Sequence, residues 1–287
     1  FSLAGNYDQA STVIADVNLD RLPEVVTVVK EYPVSYQVVA YDRAGEEKWR
    51  SAPFDYMVLA GLGSEYPGLT IADVDGDLVP EVVTQWAVFD GVNGATEYTF
   101  DAYMGVVENY GASGYWHPVV SDLDLDGQWE IFQESSVYDS TGSGLWDAPA
   151  YSEGDVIHQT VAIADLHGDH NAEVVVVDRK VLALFEHDGT PLWEHTELSD
   201  DPKECRQPTI ADFDGDGDRE IAVPMRYEIA LFEPDGSEAW RTFDWYDVSG
   251  AAGCSAFDFD LDGAYELVCA GERDLRIFDG RTGDVLF

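Results

Sequence analysis

One acidic pattern recurs six times along the chain, and the first residues of successive copies are 57, 49, 43, 47 and 46 residues apart. The copies read DVNLDRLPEVV, DVDGDLVPEVV, DLDLDGQWEIF, DLHGDHNAEVV, DFDGDGDREIA and DFDLDGAYELV, and they begin at Asp16, Asp73, Asp122, Asp165, Asp212 and Asp258. Self-similarity with a period of about 20–50 residues is typical of a repeat architecture. Because the repeats extend along the whole chain, we interpret residues 1–287 as a single domain of six units.

Each unit has the pattern of a small antiparallel sheet. In the fifth unit, PTIAD precedes the acidic segment, and EIAVPM, YEIALFE and EAWRTF follow it. Short alternating runs of β-branched and aromatic residues, bounded by Gly, Asp and Pro, indicate strands. No segment has a sustained helical period with caps. The sequence therefore predicts an all-β chain with four antiparallel strands, A to D, in each unit.

The end of each unit also recurs, as in AYDRAGEEKW and LFEPDGSEAW, with an aromatic at the end of strand C and usually a Trp on strand D. Large aromatics of this kind are expected to pack between units. A four-stranded sheet cannot bury both its faces alone, whereas sheets arranged radially cover one another. We therefore predict a β-propeller of four-stranded antiparallel blades, with six blades and seven as the alternative. A strand near residues 1–3 is expected to complete the sixth blade.

Oxygen-bearing side chains occupy positions 1, 3, 5 and 9 of the acidic loops, a spacing that allows them to converge on one point. Calcium takes six to eight oxygen ligands in adaptable geometry, and magnesium, which demands a stricter octahedron, fits less well. An EF-hand is excluded because its last acid is at position 12 and its flanks are helical. The candidate ligands are Asp16, Asn18, Asp20, Glu24, Asp73, Asp75, Asp77, Glu81, Asp122, Asp124, Asp126, Glu130, Asp165, His167, Asp169, Glu173, Asp212, Asp214, Asp216, Glu220, Asp258, Asp260, Asp262 and Glu266.

The six predicted Ca²⁺ sites are not equivalent. The first has Asn18 at position 3, a neutral oxygen donor, and the fourth has His167 there, a poor calcium ligand. We expect the fourth site, residues 165–173, to be the weakest, or to recruit water or another metal. For His167 and His170, a solvent-facing pair of histidines is the alternative to a transition-metal site.

The D-x-[DN]-x-D-x-x-x-[DE] loop between strands, repeated at this spacing, resembles the FG-GAP/VCBS repeats of integrin-α-like β-propellers. The resemblance extends over essentially the whole chain. It implies calcium in the loop that joins strands A and B, on one rim of the ring. The tails of the units are also similar to quinoprotein-like propeller repeats, although no pyrroloquinoline quinone pocket can be identified.

The net charge of −42, from 57 acidic and 15 basic residues, disfavours nucleic acid and anionic membranes as partners. No apolar run reaches the length of about 18 residues expected of a membrane-spanning helix, so we expect no membrane insertion. Because residue 1 is Phe, we expect the chain to be part of a larger parent protein. The three cysteines form no disulfide framework, but Cys254 and Cys269 flank the sixth loop, and a bridge or two buried thiols are both compatible with that position.

Several linkers between strand D and the next strand A are long and aromatic, and they would share the face opposite the calcium loops. Exposed aromatics on loops suit ligand binding, with packing of the channel or blade edges as the alternative. The candidates are Tyr56, Tyr66, Tyr103, Tyr110, Tyr115, Trp116, Trp245 and Tyr246. We expect a secreted or cell-surface binding or adhesion module for glycan or extracellular protein. No catalytic constellation is identified, so a polysaccharide-lyase-like enzyme or quinoprotein-like dehydrogenase is the less favoured alternative.

Overall fold

A computed structural model of the chain describes residues 11–31, 35–55, 68–100, 117–133, 135–149, 159–178, 180–198, 206–247, 253–271 and 274–287. These residues form strands, turns and bends and contain no helix. A helix long and apolar enough to cross a membrane is therefore absent from the described residues. The all-β prediction is confirmed. The expected strand near residues 1–3 lies outside the described residues.

The described contacts divide the chain into two compact units, and the first comprises residues 1–122 and 126–157. Its first sheet contains β1 (Thr12–Ala15), β2 (Glu24–Glu31), β3 (Ser35–Tyr41), β4 (Glu47–Arg50) and β5 (Phe54–Asp55). Its second sheet contains β6 (Thr70–Ala72), β7 (Glu81–Val83), β8 (Ala87–Asp90) and β9 (Thr96–Thr99). Its third sheet contains β10 (Val119–Ser121), β11 (Glu130–Gln133), β12 (Ser136–Tyr138) and β13 (Gly144–Asp147).

The second compact unit comprises residues 123–125 and 158–287. The fourth sheet contains β14 (Gln159–Ala164), β15 (Glu173–Asp178), β16 (Val181–Phe185) and β17 (Pro191–His195). The fifth contains β18 (Thr209–Ala211), β19 (Glu220–Pro224), β20 (Ile229–Phe232) and β21 (Glu238–Thr242). The sixth contains β22 (Gly253–Phe257), β23 (Glu266–Ala270) and β24 (Leu275–Phe278).

Every sheet follows chain order with antiparallel pairing of neighbouring strands. The prediction of four antiparallel strands per repeat is confirmed for repeats two to five. The first sheet differs because β5 pairs with β3 as an additional short strand. The sixth has three strands in the part of the chain that the structure describes, with one further bridge between Phe278 and Val285.

Burial explains why the middle strands have nearly continuous apolar runs. All residues of β15 (EVVVVD) and of β16 (VLALF) are buried, whereas the outer strand β17 (PLWEH) is largely exposed. The fifth sheet repeats this contrast between β19 and β20, which are buried, and β21. A strand covered on both faces has no solvent side on which polar residues would alternate. The middle of each of these sheets is therefore core.

Within each compact unit, consecutive sheets pack against one another. In the first, one buried cluster joins the first and second sheets through residues such as Val38 and Phe89, and another joins the second and third through Val83 and Ile131. In the second, Leu184 and Phe232 belong to the cluster between the fourth and fifth sheets. The cluster between the fifth and sixth sheets includes Leu231, Leu267 and Phe278. Each inner sheet thus covers the face that its neighbour could not bury alone.

Tryptophans on the fourth strands of the first, fourth and fifth sheets contact the following repeat. The indole N–H of Trp49 donates to the carbonyl of Gly91, that of Trp193 to Pro234 and that of Trp240 to Gly280, at 2.6–2.8 Å. Each acceptor lies in the turn that follows the third strand of the next repeat. This arrangement confirms the expected packing between units.

Candidate metal loops and ligand face

The six acidic segments form the connections between the first and second strands of the six sheets, from β1–β2 to β22–β23. In an antiparallel sheet in chain order, the turn between the third and fourth strands lies at the same end of the sheet. An acid ends or directly follows the third strand in every repeat and can therefore approach the acidic loop. These six acids are Asp42, Asp90, Asp139, Glu186, Glu233 and Asp279.

All six loops share an unusual backbone. Positions 4 and 6 have positive φ in every copy, between 57° and 103°. Half of these twelve positions are glycine, which adopts that conformation without a steric penalty. The others are Leu19, Arg21, Leu78, Leu125, His170 and Leu261, and they are all of the non-glycine residues with positive φ in the described chain. Backbone strain of this kind persists where the surrounding structure or a function requires it.

Two hydrogen bonds recur in all six loops and explain part of this geometry. The amide at position 6 donates to the second carboxylate oxygen of the Asp at position 1, at 2.7–3.1 Å. The amide at position 7 donates to the acid at position 5, at 2.7–2.9 Å. Such side-chain bonds to nearby amides are typical of tight turns. The acids at positions 1 and 5 therefore shape the loop whether or not a cation is bound.

The glutamate at position 9 differs from the other acids because it is buried in five of the six loops. In those five loops it accepts the amide of position 2 through Oε2, at 2.6–3.3 Å. In the fifth loop, Glu220 is 1% exposed and its Oε1 has no hydrogen-bond partner. A buried carboxylate oxygen without a partner is costly unless a cation compensates it. This oxygen belongs to the same group of carboxylates as Asp212, Asp214 and Asp216.

The electrostatics of these glutamates reflect burial among other acids. Burial raises the pKa of Glu220 to about 7. The charges of Asp214, Glu233 and Asp212 raise this pKa further, whereas the hydrogen bond from the Phe213 amide lowers it. Burial likewise raises the pKa of Glu81 to about 8, with the nearby Glu97 contributing. A cation in the loop would favour the charged form and reverse these shifts.

Four loops bring three or more of their own acids together, with one oxygen of each within 4.8 Å of the others. The fifth loop is complete, since all four predicted ligands converge. The second and third lack the position 5 acid, and the sixth lacks Glu266. In the first, Asn18 occupies position 3, and no group of three acids forms there in the described residues. The converging sets are Asp73, Asp75 and Glu81; Asp122, Asp124 and Glu130; Asp212, Asp214, Asp216 and Glu220; and Asp258, Asp260 and Asp262.

The fourth loop converges differently. His167 and Glu173 come together with Glu186, which follows β16, rather than with Asp165 and Asp169. Glu186 was not among the ligands predicted from the sequence, although an acid recurs at or directly after the end of the third strand in every repeat.

The predicted aromatic ligand face lies only partly within the described residues. Of its candidates, Tyr56, Tyr66, Tyr103, Tyr110, Tyr115 and Trp116 lie outside the described residues. Trp245 is buried against the core of the fifth and sixth sheets, so it is a packing residue. Tyr246 is half-buried, and its ring is 5.7 Å from that of Tyr227, which is exposed and carries the Arg226 guanidinium over its face.

The two cysteines that flank the sixth loop form a disulfide. Cys254 on β22 is paired directly with Cys269 on β23, and their Cα atoms are 4.2 Å apart. This bond decides between the two alternatives that the sequence left open. Cys205 lies outside the described residues.

No family model matches the chain, and no curated protein sequence matches it. Among solved structures, it is similar to the V. cholerae biofilm matrix protein Bap1, with a TM-score of 0.71 and 15% identity over 96% of this chain and 68% of that one. It is also similar to the exotype rhamnogalacturonan lyase YesX, with a TM-score of 0.62 and 16% identity over 97% of this chain. The chain spans 56% of the length of that lyase. At these identities, the similarity establishes the fold alone.

Proposed function

We propose that the chain is a calcium-stabilised β-propeller with six blades, of the FG-GAP/VCBS kind, and that it binds glycan or protein ligands on a secreted or cell-surface protein. The six sheets are the blades of a single domain, residues 1–287. Face-to-face packing of consecutive sheets within each compact unit supports this arrangement.

The observation that carries the calcium assignment is the complete carboxylate group of the fifth loop. Asp212, Asp214, Asp216 and Glu220 offer only oxygen ligands, and a buried oxygen of Glu220 lacks a hydrogen bond. A hard cation with several oxygen ligands satisfies both conditions, and calcium tolerates the irregular geometry of a loop.

The location outside the cytosol is supported by the bond between Cys254 and Cys269, because disulfides persist mainly in oxidising compartments. The similarity to a biofilm matrix protein, which exceeds this chain in length, supports a role as a module of a larger extracellular protein.

The ligand face that we propose lies at the end of the sheets opposite the acidic loops. Tyr227, between β19 and β20, is exposed and forms an aromatic pair there with the half-buried Tyr246, after β21, beside Arg226. Flat aromatic rings next to a polar group are suited to stacking against a sugar ring. Because the chain has a net charge of −42, we expect neutral glycans to bind better than polyanionic ones.

A glycan array in the presence of calcium tests this proposal. We expect binding to neutral glycans, and Tyr227→Ala is expected to weaken it by more than about tenfold, since truncated aromatic hot spots cost about 2 kcal/mol or more. Tyr265→Ala is the matched control, because Tyr265 is an exposed tyrosine at the loop end of the sixth sheet. Equal loss in both variants, or the absence of any glycan binding, would contradict this assignment.

An enzyme is the second candidate, supported by the fold similarity to a rhamnogalacturonan lyase. Product analysis on any glycan that binds separates the two functions. Unchanged glycan after incubation supports a binding module, and released oligosaccharide supports the enzyme.

A further inference from the structure

The fourth acidic loop differs from the others in both the identity and the position of its converging side chains. We propose that it binds a transition-metal ion of the zinc class, through His167, Glu173 and Glu186, instead of calcium. One ligand atom of each of these residues lies within 4.8 Å of the other two. The assignment is independent of the ligand that the aromatic face takes.

The buried Glu173 is the first argument for a bound ion. Its side chain is fully buried, and its Oε2 accepts the amide of Leu166 at 2.6 Å. Its Oε1 has no hydrogen-bond partner and lies 3.2 Å from Nδ1 of His167. Two ligands at about 2.0 Å from one tetrahedral ion are about 3.3 Å apart, so the separation of 3.2 Å fits two neighbouring ligands of one zinc ion.

The chemistry of the donor set is the second argument. Calcium is bound by oxygen ligands, whereas imidazole nitrogen is a ligand suited to zinc, copper, iron and nickel. One imidazole and two carboxylates provide three ligands of a tetrahedral ion, and water can supply the fourth. An ion pair between protonated His167 and Glu173 is the competing interpretation, and it needs no metal.

The fifth loop provides an internal comparison. Glu220 and Glu233 occupy the places that Glu173 and Glu186 have in the fourth, but position 3 is Asp214 instead of histidine. Glu233 directly follows β20, as Glu186 directly follows β16, and it is not among the four carboxylates that converge in the fifth loop. The residue at position 3 therefore distinguishes a nitrogen-containing donor set from one that contains only oxygen.

Cobalt is the probe for this site, because its visible absorption reports the ligands of the bound ion. Tag-free protein is stripped of metal with a chelator and titrated with Co²⁺ in excess Ca²⁺. We expect one tightly bound cobalt ion per chain, which Zn²⁺ displaces. Absence of cobalt binding in the presence of calcium would overturn the proposal and favour the ion pair.

Variants identify the ligands. His167→Asp introduces the residue that four other loops have at position 3, so we expect the variant to fold. We expect this variant to lose the cobalt spectrum and to bind one more calcium ion. His170→Asp, the same change three residues away, is the matched control and is expected to keep the cobalt. Retained cobalt in His167→Asp, or equal loss in His170→Asp, would overturn the assignment.

The reverse change tests whether a histidine at position 3, together with the two glutamates, is sufficient to bind cobalt. Asp214→His in the fifth loop is expected to create a second cobalt site, with Glu220 and Glu233 as the other ligands. Failure to bind a second ion would overturn the claim that these three positions define the donor set.

Discussion

Leu19, Leu78, Leu125 and Leu261 have the left-handed backbone that glycine has in other copies of the same loop. For a residue with a side chain, this conformation costs about 1–2 kcal/mol. The cost recurs because side chains at positions 1, 3 and 5 are brought to one side of the loop only if the backbone reverses between them. The strain is therefore part of the geometry that brings the acids together.

Replacing one of these leucines by glycine should relieve the strain. Leu78 is 78% exposed, so Leu78→Gly removes little buried surface, and we expect it to raise the free energy of unfolding by up to about 1 kcal/mol. Leu275→Gly on β24 is the control, because this exposed leucine pairs with Ala270 in regular strand register, and we expect a loss of about 0.5–1 kcal/mol. Denaturant unfolding at fixed calcium measures both, and equal destabilisation would count against strain in the loop.

The raised pKa of Glu81 predicts how the calcium-free protein responds to pH. Below its ordinary pKa of 4.5, Glu81 is protonated in both the folded and the unfolded chain. As the pH rises toward about 8, the unfolded chain has released this proton whereas the folded chain still retains it, so folding stability falls. In chelator, the melting temperature should therefore fall between pH 4.5 and 8.

Glu81→Gln isolates this contribution from the general repulsion among the acids. In chelator, the variant should lose less stability over the same pH range than the unmodified chain. In calcium, it should be less stable, because a ligand has been removed. Identical pH profiles of the two proteins in chelator would refute the role of Glu81.

At the scale of the elements, the contact between a strand tryptophan and the following repeat requires a glycine in the turn of that repeat. A Cβ atom on Gly94 would lie 2.3 Å from the indole ring of Trp49, and equivalent conflicts occur at Gly236 with Trp193 and at Gly283 with Trp240. The turn glycines therefore allow the ring of one repeat to lie directly on the backbone of the next. The sequence has a glycine in every tail and a tryptophan in four of the six, and it predicted packing between units, but not that the indole ring lies on the turn glycine of the following repeat.

Gly94→Ala tests this contact. Gly168 is the matched control, because its φ of +70° nearly equals the +71° of Gly94 and a Cβ there would meet nothing within 4 Å. Both substitutions add the same backbone strain, so the difference between them measures the conflict with Trp49. We expect Gly94→Ala to be less stable by about 1–3 kcal/mol more than Gly168→Ala, measured by denaturant unfolding in chelator. Equal losses would show that the ring moves aside without cost.

At the scale of the whole molecule, the repeats predicted the strands, their order and the loops, because each unit is specified by short-range patterns of apolar residues and turns. Contacts between distant residues could not be read in the same way. Glu186 joins the fourth loop across a sheet, and Trp245 is buried although its linker resembles an exposed aromatic loop. Both outcomes depend on packing between elements that the local sequence does not encode.

Calcium should stabilise the whole molecule through several loops at once. At a calcium concentration ten times the dissociation constant, one site adds about 1.4 kcal/mol of folding stability, and five sites add about 7 kcal/mol. For a chain of this size, that difference corresponds to a shift of the melting temperature of more than about 10 °C.

Thermal unfolding in excess calcium and in excess chelator is the most direct test of the account. We predict a melting temperature at least about 10 °C higher in calcium, with magnesium at the same concentration giving a smaller increase. The same melting temperature in calcium and in chelator would contradict the claim that bound calcium stabilises the repeated sheets.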